Sequence, residues 1–270
     1  MSRWITFCAT ASLCLMLSLQ ARAGGQTCNR AFLVGWEPWP PYQYVDATGH
    51  LTGLDIELVQ AVMGALSCEV RFQQLPWKRQ LLHIQKGLLD LAPGASRTSE
   101  REAYGRFSVP LRDEQVVLLA RKDSLWNGRI HSLADTLSQP VRLVGTIGYY
   151  YGPEFENLLE RRSLGTRLLL VSTDQIGYQM LLNGRADVML VDPVSAAASL
   201  AVLGEAHRMR ILGEVYRSPI HALFSQRSVS EQFVQRFDQA VEKLERDGTL
   251  PAIRARYMLT APQAPLPATR

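Results

Sequence analysis

Short apolar runs broken by turn residues alternate along the chain with stretches whose apolar positions fall three and four apart. The run AFLVG at residues 31–35 predicts a buried strand. After a turn at Gly49 and His50, Ile56, Val59, Val62, Met63 and Leu66 share one helical face. Asp55 is placed to cap that helix, with Glu57 near the positive end of its dipole. Residues 70–75 predict a second strand, 77–86 a second helix closed by Gly87, and 88–92 a third strand. This alternation predicts a parallel sheet covered by helices.

The pattern then echoes itself. Lys86-Gly87-Leu88-Leu89-Asp90-Leu91 resembles Asn183-Gly184-Arg185-Ala186-Asp187-Val188: a helix end, a glycine cap, an aspartate and an apolar strand. Upstream of the second copy, residues 141–145 read as a strand, 148–160 as a turn running into a helix, 168–171 as a strand and 174–182 as a helix. Two α/β units in tandem predict two lobes rather than one core. A last helix over residues 230–246 places Phe233, Phe237, Val241 and Leu244 on one face and stops at Asp247-Gly248. The ending from residue 259 is expected to be disordered.

The first 23 of the 270 residues change the picture. Arg3, an apolar run from Trp4 to Leu19 and Ala21-Arg22-Ala23 read as an export signal cleaved after Ala23. Neither Cys14 nor Cys28 sits in a convincing lipoprotein box, so the mature chain is expected to be exported and soluble, in the periplasm. Cleavage leaves Cys28 and Cys68, an even pair in an oxidising compartment, predicted to bond. The formal charge of +4 falls by two when Arg3 and Arg22 leave. So small and scattered a surplus argues against nucleic acid, and Arg161, Arg162 and Arg167 read as a solvated face. His50, His83, His131, His207 and His221 have no metal-ligand spacing, and neither a Ser/His/Asp arrangement nor a phosphate loop is recognisable; no cofactor is expected.

Ligands in open α/β sheets bind beyond the carboxyl ends of the strands. That rule selects the loop WEPWPPYQY at residues 36–44, the loop Gly94-Ala95-Ser96-Arg97-Thr98-Ser99-Glu100-Arg101, and in the second unit Gly148-Tyr149-Tyr150-Tyr151 and Val191-Asp192-Pro193. Prolines 38, 40 and 41 stiffen the first loop, and its aromatic residues read as the wall of a site.

At these positions the chain resembles a family 3 extracytoplasmic solute-binding protein, the polar amino-acid type that serves ABC importers. Gly53-Leu54-Asp55-Ile56-Glu57-Leu58, Thr98-Ser99-Glu100-Arg101 and Asp247-Gly248-Thr249-Leu250 with Tyr257 carry the resemblance, in the family's order. It implies a periplasmic-binding-protein-like fold, two α/β lobes joined by two hinge strands that close on ligand. Residues 24–118 with 219–258 would form lobe 1 and residues 119–218 lobe 2, with the apolar segments 116–121 and 220–225 crossing between them.

Matched residue by residue, the resemblance implies that Arg101 pairs with the ligand's α-carboxylate, with Ser96 in support. It implies that Asp192 accepts the α-ammonium, and that Trp77 and Trp39 flank the ligand side chain. Tyr149 and Tyr150 would lie at a helix start whose free N–H groups help hold the carboxylate. Gly94 departs from the family's usual hydroxyl, leaving only backbone to bind there. Tyr149 and Tyr150 depart from small hydroxyl residues, shrinking or redirecting the pocket.

The expected function is capture of an α-amino acid for an ABC permease, by a monomer that performs no chemistry. Glu37 fits that role by meeting an amine or hydroxyl of the ligand, or by facing solvent. The rival is an enzyme on the same scaffold, a dehydratase or cell-wall lytic enzyme, with Glu37 beside Trp36 and Trp39 as its general acid. A ligand-sensing input to a membrane receptor would use the same cleft.

Overall fold

The computed structural model describes residues 28–258; the expected export signal, the first residues expected in lobe 1 and the ending expected to be disordered lie outside the described residues. The chain opens with β1 (Phe32–Trp36), the short pair β2 (Tyr44–Val45) and β3 (Leu51–Thr52), α1 (Leu54–Ala65), β4 (Val70–Gln74) and α2 (Trp77–Lys86). There follow β5 (Leu91–Ser96), α3 (Ser99–Glu102), β6 (Gly105–Phe107) and the long β7 (Arg112–Arg121). The second unit comprises α4 (Leu133–Ser138), β8 (Leu143–Thr146), α5 (Pro153–Glu160), β9 (Leu168–Val171), α6 (Asp174–Leu182), β10 (Val188–Val191) and α7 (Pro193–Val202). The 17-residue β11 (Met209–Ser225) returns to the first, which ends in α8 (Glu231–Arg246) and α9 (Thr249–Met258).

The strand order β4-β1-β5-β11-β7-β10-β8-β9 is symmetric about the β11–β7 ladder. In each half the first strand of the unit lies between the second and third, all three parallel. The loops after β1 and β5, and after β8 and β10, are therefore the switch-point loops of their sheets. One lobe packs β1, α1 and α8 through Phe32, Val59, Met63, Phe233 and Phe237, with α2 on the opposite face through Trp77, Leu81 and Ile84. The other packs Tyr151, Phe155 and Leu158 on one face of its sheet and Tyr178, Leu181 and Leu200 on the other.

The two echoed aspartates do the same work in both lobes. Asp90 accepts the Leu33 backbone N–H at 2.8 Å and a forked pair from Arg30 at 2.6 and 2.7 Å. Asp187 accepts the Arg142 backbone N–H at 2.8 Å and a forked pair from the same residue at 2.9 Å each. Each carboxylate thus fastens the strand that follows a helix to the strand that opened the unit. Gly87 and Gly184 precede them at φ of 75° and 66°, ending α2 and α6 in a conformation that disfavours a side chain.

Several expectations are corrected. Asp55 does not cap α1: Gly53 is the N-cap and Asp55 turns inward to Arg112. The third strand starts at Leu91, because residues 87–90 form the turn that delivers Asp90. Residues 116–121 pair with β11 along their length and over 117–120 also with β10, and residues 220–225 pair with β5 and β6, so both run into lobe sheets. The chain crosses just before them, where residues 112–116 pair with 216–220. Arg112, Asp113, Glu114, Gln115, Arg217 and Ser218 supply that crossing, which apolar patterning cannot detect. Cys28 and Cys68 form a disulfide with a Cα–Cα distance of 5.0 Å, tying the start of the first lobe to the end of α1.

Candidate functional site in the cleft between the lobes

All nine side chains or backbones expected at a site, Glu37, Trp39, Trp77, Gly94, Ser96, Arg101, Tyr149, Tyr150 and Asp192, line one cleft of about 460 Å³ including its mouth. Gln43, Pro93, Glu114, Val116 and Tyr151 complete the lining. The stretch from Trp36 to Tyr44 is both wall and core. Trp39 and Tyr42 pack in the lobe's apolar cluster with rings 4.6 Å apart, while Glu37, Trp39 and Gln43 face the cleft. The Trp39 indole N–H is buried and has no partner among the described residues.

Arg101 is the central electrostatic feature. Thr98 caps the short α3 and fixes the Arg101 backbone; its guanidinium then donates to the Ser96 carbonyl at 2.7 Å and to the Gly148 carbonyl of the other lobe at 2.8 Å. Only 5% of the residue is exposed, and it has no carboxylate in salt-bridge range among the described residues. Burial pulls its pKa down. Arg112 is the contrast: burial acts to lower its pKa, but Asp55, held at 2.6 and 3.1 Å, and the Tyr42 ring beneath it raise it overall. One buried guanidinium is neutralised and the other is not.

Across the cleft, Asp192 caps α7 by accepting the Ser195 N–H at 2.8 Å, and also accepts the Tyr42 hydroxyl of lobe 1 at 3.0 Å. Burial raises its pKa against those hydrogen bonds. It is an ordinary cap and a cleft carboxylate at once.

Glu37 does not face solvent. It is 5% exposed, accepts the Trp77 backbone N–H at 2.8 Å and the Tyr149 hydroxyl at 2.6 Å, and burial pushes its pKa up to about 7. The hydroxyl it meets is thus the protein's own. Tyr149 stands edge-on between Trp39 and Trp77, at 6.0 and 6.5 Å, and narrows the cleft as its bulk implied. Neither Tyr149 nor Tyr150 opens a helix: α5 starts at Pro153 after Gly152 at φ 97°, with Gly148 at φ 83° turning the loop. The amide of Tyr149 is spent on the Thr146 carbonyl. Tyr150 packs instead on Tyr216 of β11, rings 5.5 Å apart.

Gly94 sits at φ 86°, and a Cβ there would meet Asp55 Oδ2 at 3.1 Å, Gln43 Nε2 at 3.2 Å and the Trp39 ring at 3.3 Å. The departure from a hydroxyl follows from that crowded left-handed turn.

Glu114 and Gln43 escaped notice in the sequence. Glu114 lies outside the switch-point loops, on β7, and its only signal is the alternation that puts it on one strand face with Arg112 and Val116. Gln43 accepts the Glu37 backbone N–H at 3.1 Å and looks in sequence like any loop amide. Among the described residues, no group of three His, Cys, Asp or Glu side chains is placed to hold a metal, and no helix is long and apolar enough to cross a membrane.

Comparison with known proteins agrees with this architecture. The model of the bacterial extracellular solute-binding proteins, family 3, matches residues 32–260. The L-cystine-binding protein TcyJ of Escherichia coli strain K12 is 26% identical over 234 residues, covering 83% of this chain and 81% of that protein. A histidine kinase sensor domain with similarity to periplasmic binding proteins superposes with a TM-score of 0.74 at 21% identity, covering 85% of this chain and 96% of that one. An ancestral arginine-binding protein bound to glutamine superposes at 0.73 and 23% identity, covering 84% and 97%. The periplasmic-binding-protein-like chain described here belongs to the bacterial extracellular solute-binding proteins, family 3.

Proposed function

We propose that the protein is a periplasmic receptor that captures an α-amino acid between its lobes and delivers it, as a monomer, to an ABC permease. Residues 1–23 serve as its cleaved export signal, residues 24–118 with 219–258 as lobe 1 and residues 119–218 as lobe 2. The observation that carries the reading is the buried Arg101 guanidinium without a carboxylate partner, in the same cleft as Asp192 of the opposite lobe. A desolvated cation without a counter-charge is costly, and a ligand carboxylate placed there satisfies it with forked hydrogen bonds. Asp192 takes the ammonium, and a ligand lacking either charge leaves a buried group unpaired. Ser96 supports the carboxylate, Gly94 offers backbone, and Trp39, Trp77, Tyr149, Tyr150 and Glu37 bound the ligand's side chain. Amino-acid and cystine binding among the relatives supports a ligand of this class.

The test is a thermal-shift screen over the free amino acids. Binding to the folded state alone raises the midpoint in proportion to the logarithm of ligand excess. A rise with one or a few amino acids is expected; a flat screen contradicts the reading.

One observation favours an enzyme: Glu37 is buried with a pKa of about 7, the range a general acid needs. Its two oxygens are already engaged by Trp77 and Tyr149, which favours a structural role. Recovering the bound amino acid chemically unchanged after incubation would rule the enzyme out.

A further inference from the structure

The cleft contains a carboxylate with no role in the picture so far. Glu114 lines it from β7, on the segment where the chain crosses between lobes. Its carboxylate has no hydrogen bond and no salt bridge within the described residues, and Arg112, whose charge opposes the rise of its pKa, is already held by both oxygens of Asp55. Asp192, by contrast, has an oxygen occupied by the Ser195 amide and the Tyr42 hydroxyl. Of the two acidic groups in the cleft beyond Glu37, Glu114 is therefore the one with both carboxylate oxygens unengaged, while Asp192 has Oδ1 already taken.

We propose that Glu114 is a ligand-binding residue that receives the ligand's ammonium group, which bridges it to Asp192. This rests on the reading of the cleft as an amino-acid site. An unpaired carboxylate in a closing cleft loses water as the lobes shut, and only a donor brought in by the ligand compensates it. Burial, with Asp192 nearby, raises the Glu114 pKa to about 8 despite Arg112, the direction expected of a carboxylate waiting for a cation. Its place on the crossing strand couples ligand charge to the segment that moves when the lobes close.

The test is calorimetry on the mature chain and on Glu114→Gln, which removes the charge at constant volume, with thermal melts confirming that both fold. The probes are the free amino acids, the deaminated carboxylate of the best binder, and butylammonium. We expect Glu114→Gln to weaken the amino acid at least about 30-fold, the lower range for truncating a buried charged pair, and to leave the deaminated acid unweakened. Equal losses for both acids, or no loss for the amino acid, overturn the proposal while leaving the amino-acid reading standing. If the wild type binds butylammonium but no amino acid, and Glu114→Gln abolishes that binding, Glu114 stands as a cation receptor and the amino-acid reading falls. No heat from any probe overturns both.

Discussion

The Tyr149 hydroxyl of one lobe donates to Glu37 of the other at 2.6 Å. The Gly148 carbonyl beside it accepts the Trp77 indole N–H at 3.0 Å and Arg101 at 2.8 Å. Three lobe-1 side chains thus hold one loop of lobe 2. Tyr149→Phe removes a hydrogen bond to a buried carboxyl, typically worth about 1–3 kcal/mol. The ligand-free variant is expected to open, with a larger radius of gyration in small-angle scattering and weaker amino-acid binding. An unchanged scattering profile would show that this bond does not bias closure.

The pH dependence follows from two carboxyls. Glu37 and Glu114 titrate at about 7 and about 8, above their ordinary value, because of burial. The folded state therefore binds more protons than the unfolded chain, and stability falls as pH rises through both values. Carboxylates with lowered pKa, such as Asp90, are already ionised in both states over that window. The melting temperature without ligand should drop by roughly 5 °C or more between pH 6.5 and 8.5. A flat or rising trend would contradict the placement of these groups.

Gly94→Ala adds a Cβ at φ 86° against Asp55, Gln43 and Trp39. Left-handed strain plus a contact at 3.1 Å should destabilise the fold by about 1–3 kcal/mol and disturb the Arg112–Asp55 pair behind the cleft. Chemical denaturation reads the loss directly. A neutral result would mean that the turn relaxes freely.

The Cys28–Cys68 bond closes a loop with a sequence separation of 40. Chain-entropy reasoning assigns such a closure about 4 kcal/mol. Replacing both cysteines by serine should lower the unfolding free energy by about that amount while leaving ligand stoichiometry at one. A loss of stoichiometry instead would place the bond in the binding machinery.

The lobes and their switch-point loops were legible because they rest on local grammar. Gly87 and Gly184 end helices, Asp90 and Asp187 follow at the same offset, and both units repeat strand, helix, strand. The placement of Arg101 and Asp192 in the cleft was legible because each follows closely on a strand's carboxyl end, Arg101 in the short α3 after β5 and Asp192 at the cap of α7 after β10. Asp55 was misread because an acid in a first helical turn looks like a cap, and its partner Arg112 lies 57 residues away. The start of α5 was misplaced because Tyr149 and Tyr150 carry no breaker themselves; Gly152 and Pro153 set the boundary. Glu114 was missed because a charged residue on a crossing strand has no apolar period to mark it, and only the fold turns it toward the cleft.

The most direct measurement is titration calorimetry of the best amino acid from the thermal screen against wild type and Arg101→Ala, with a thermal melt confirming that the variant folds. Removing one partner of a buried charge-assisted pair typically costs about 2–5 kcal/mol, so binding should weaken by about 30-fold or more in the variant. Equal affinity in the two proteins would contradict a guanidinium that holds the ligand's carboxylate.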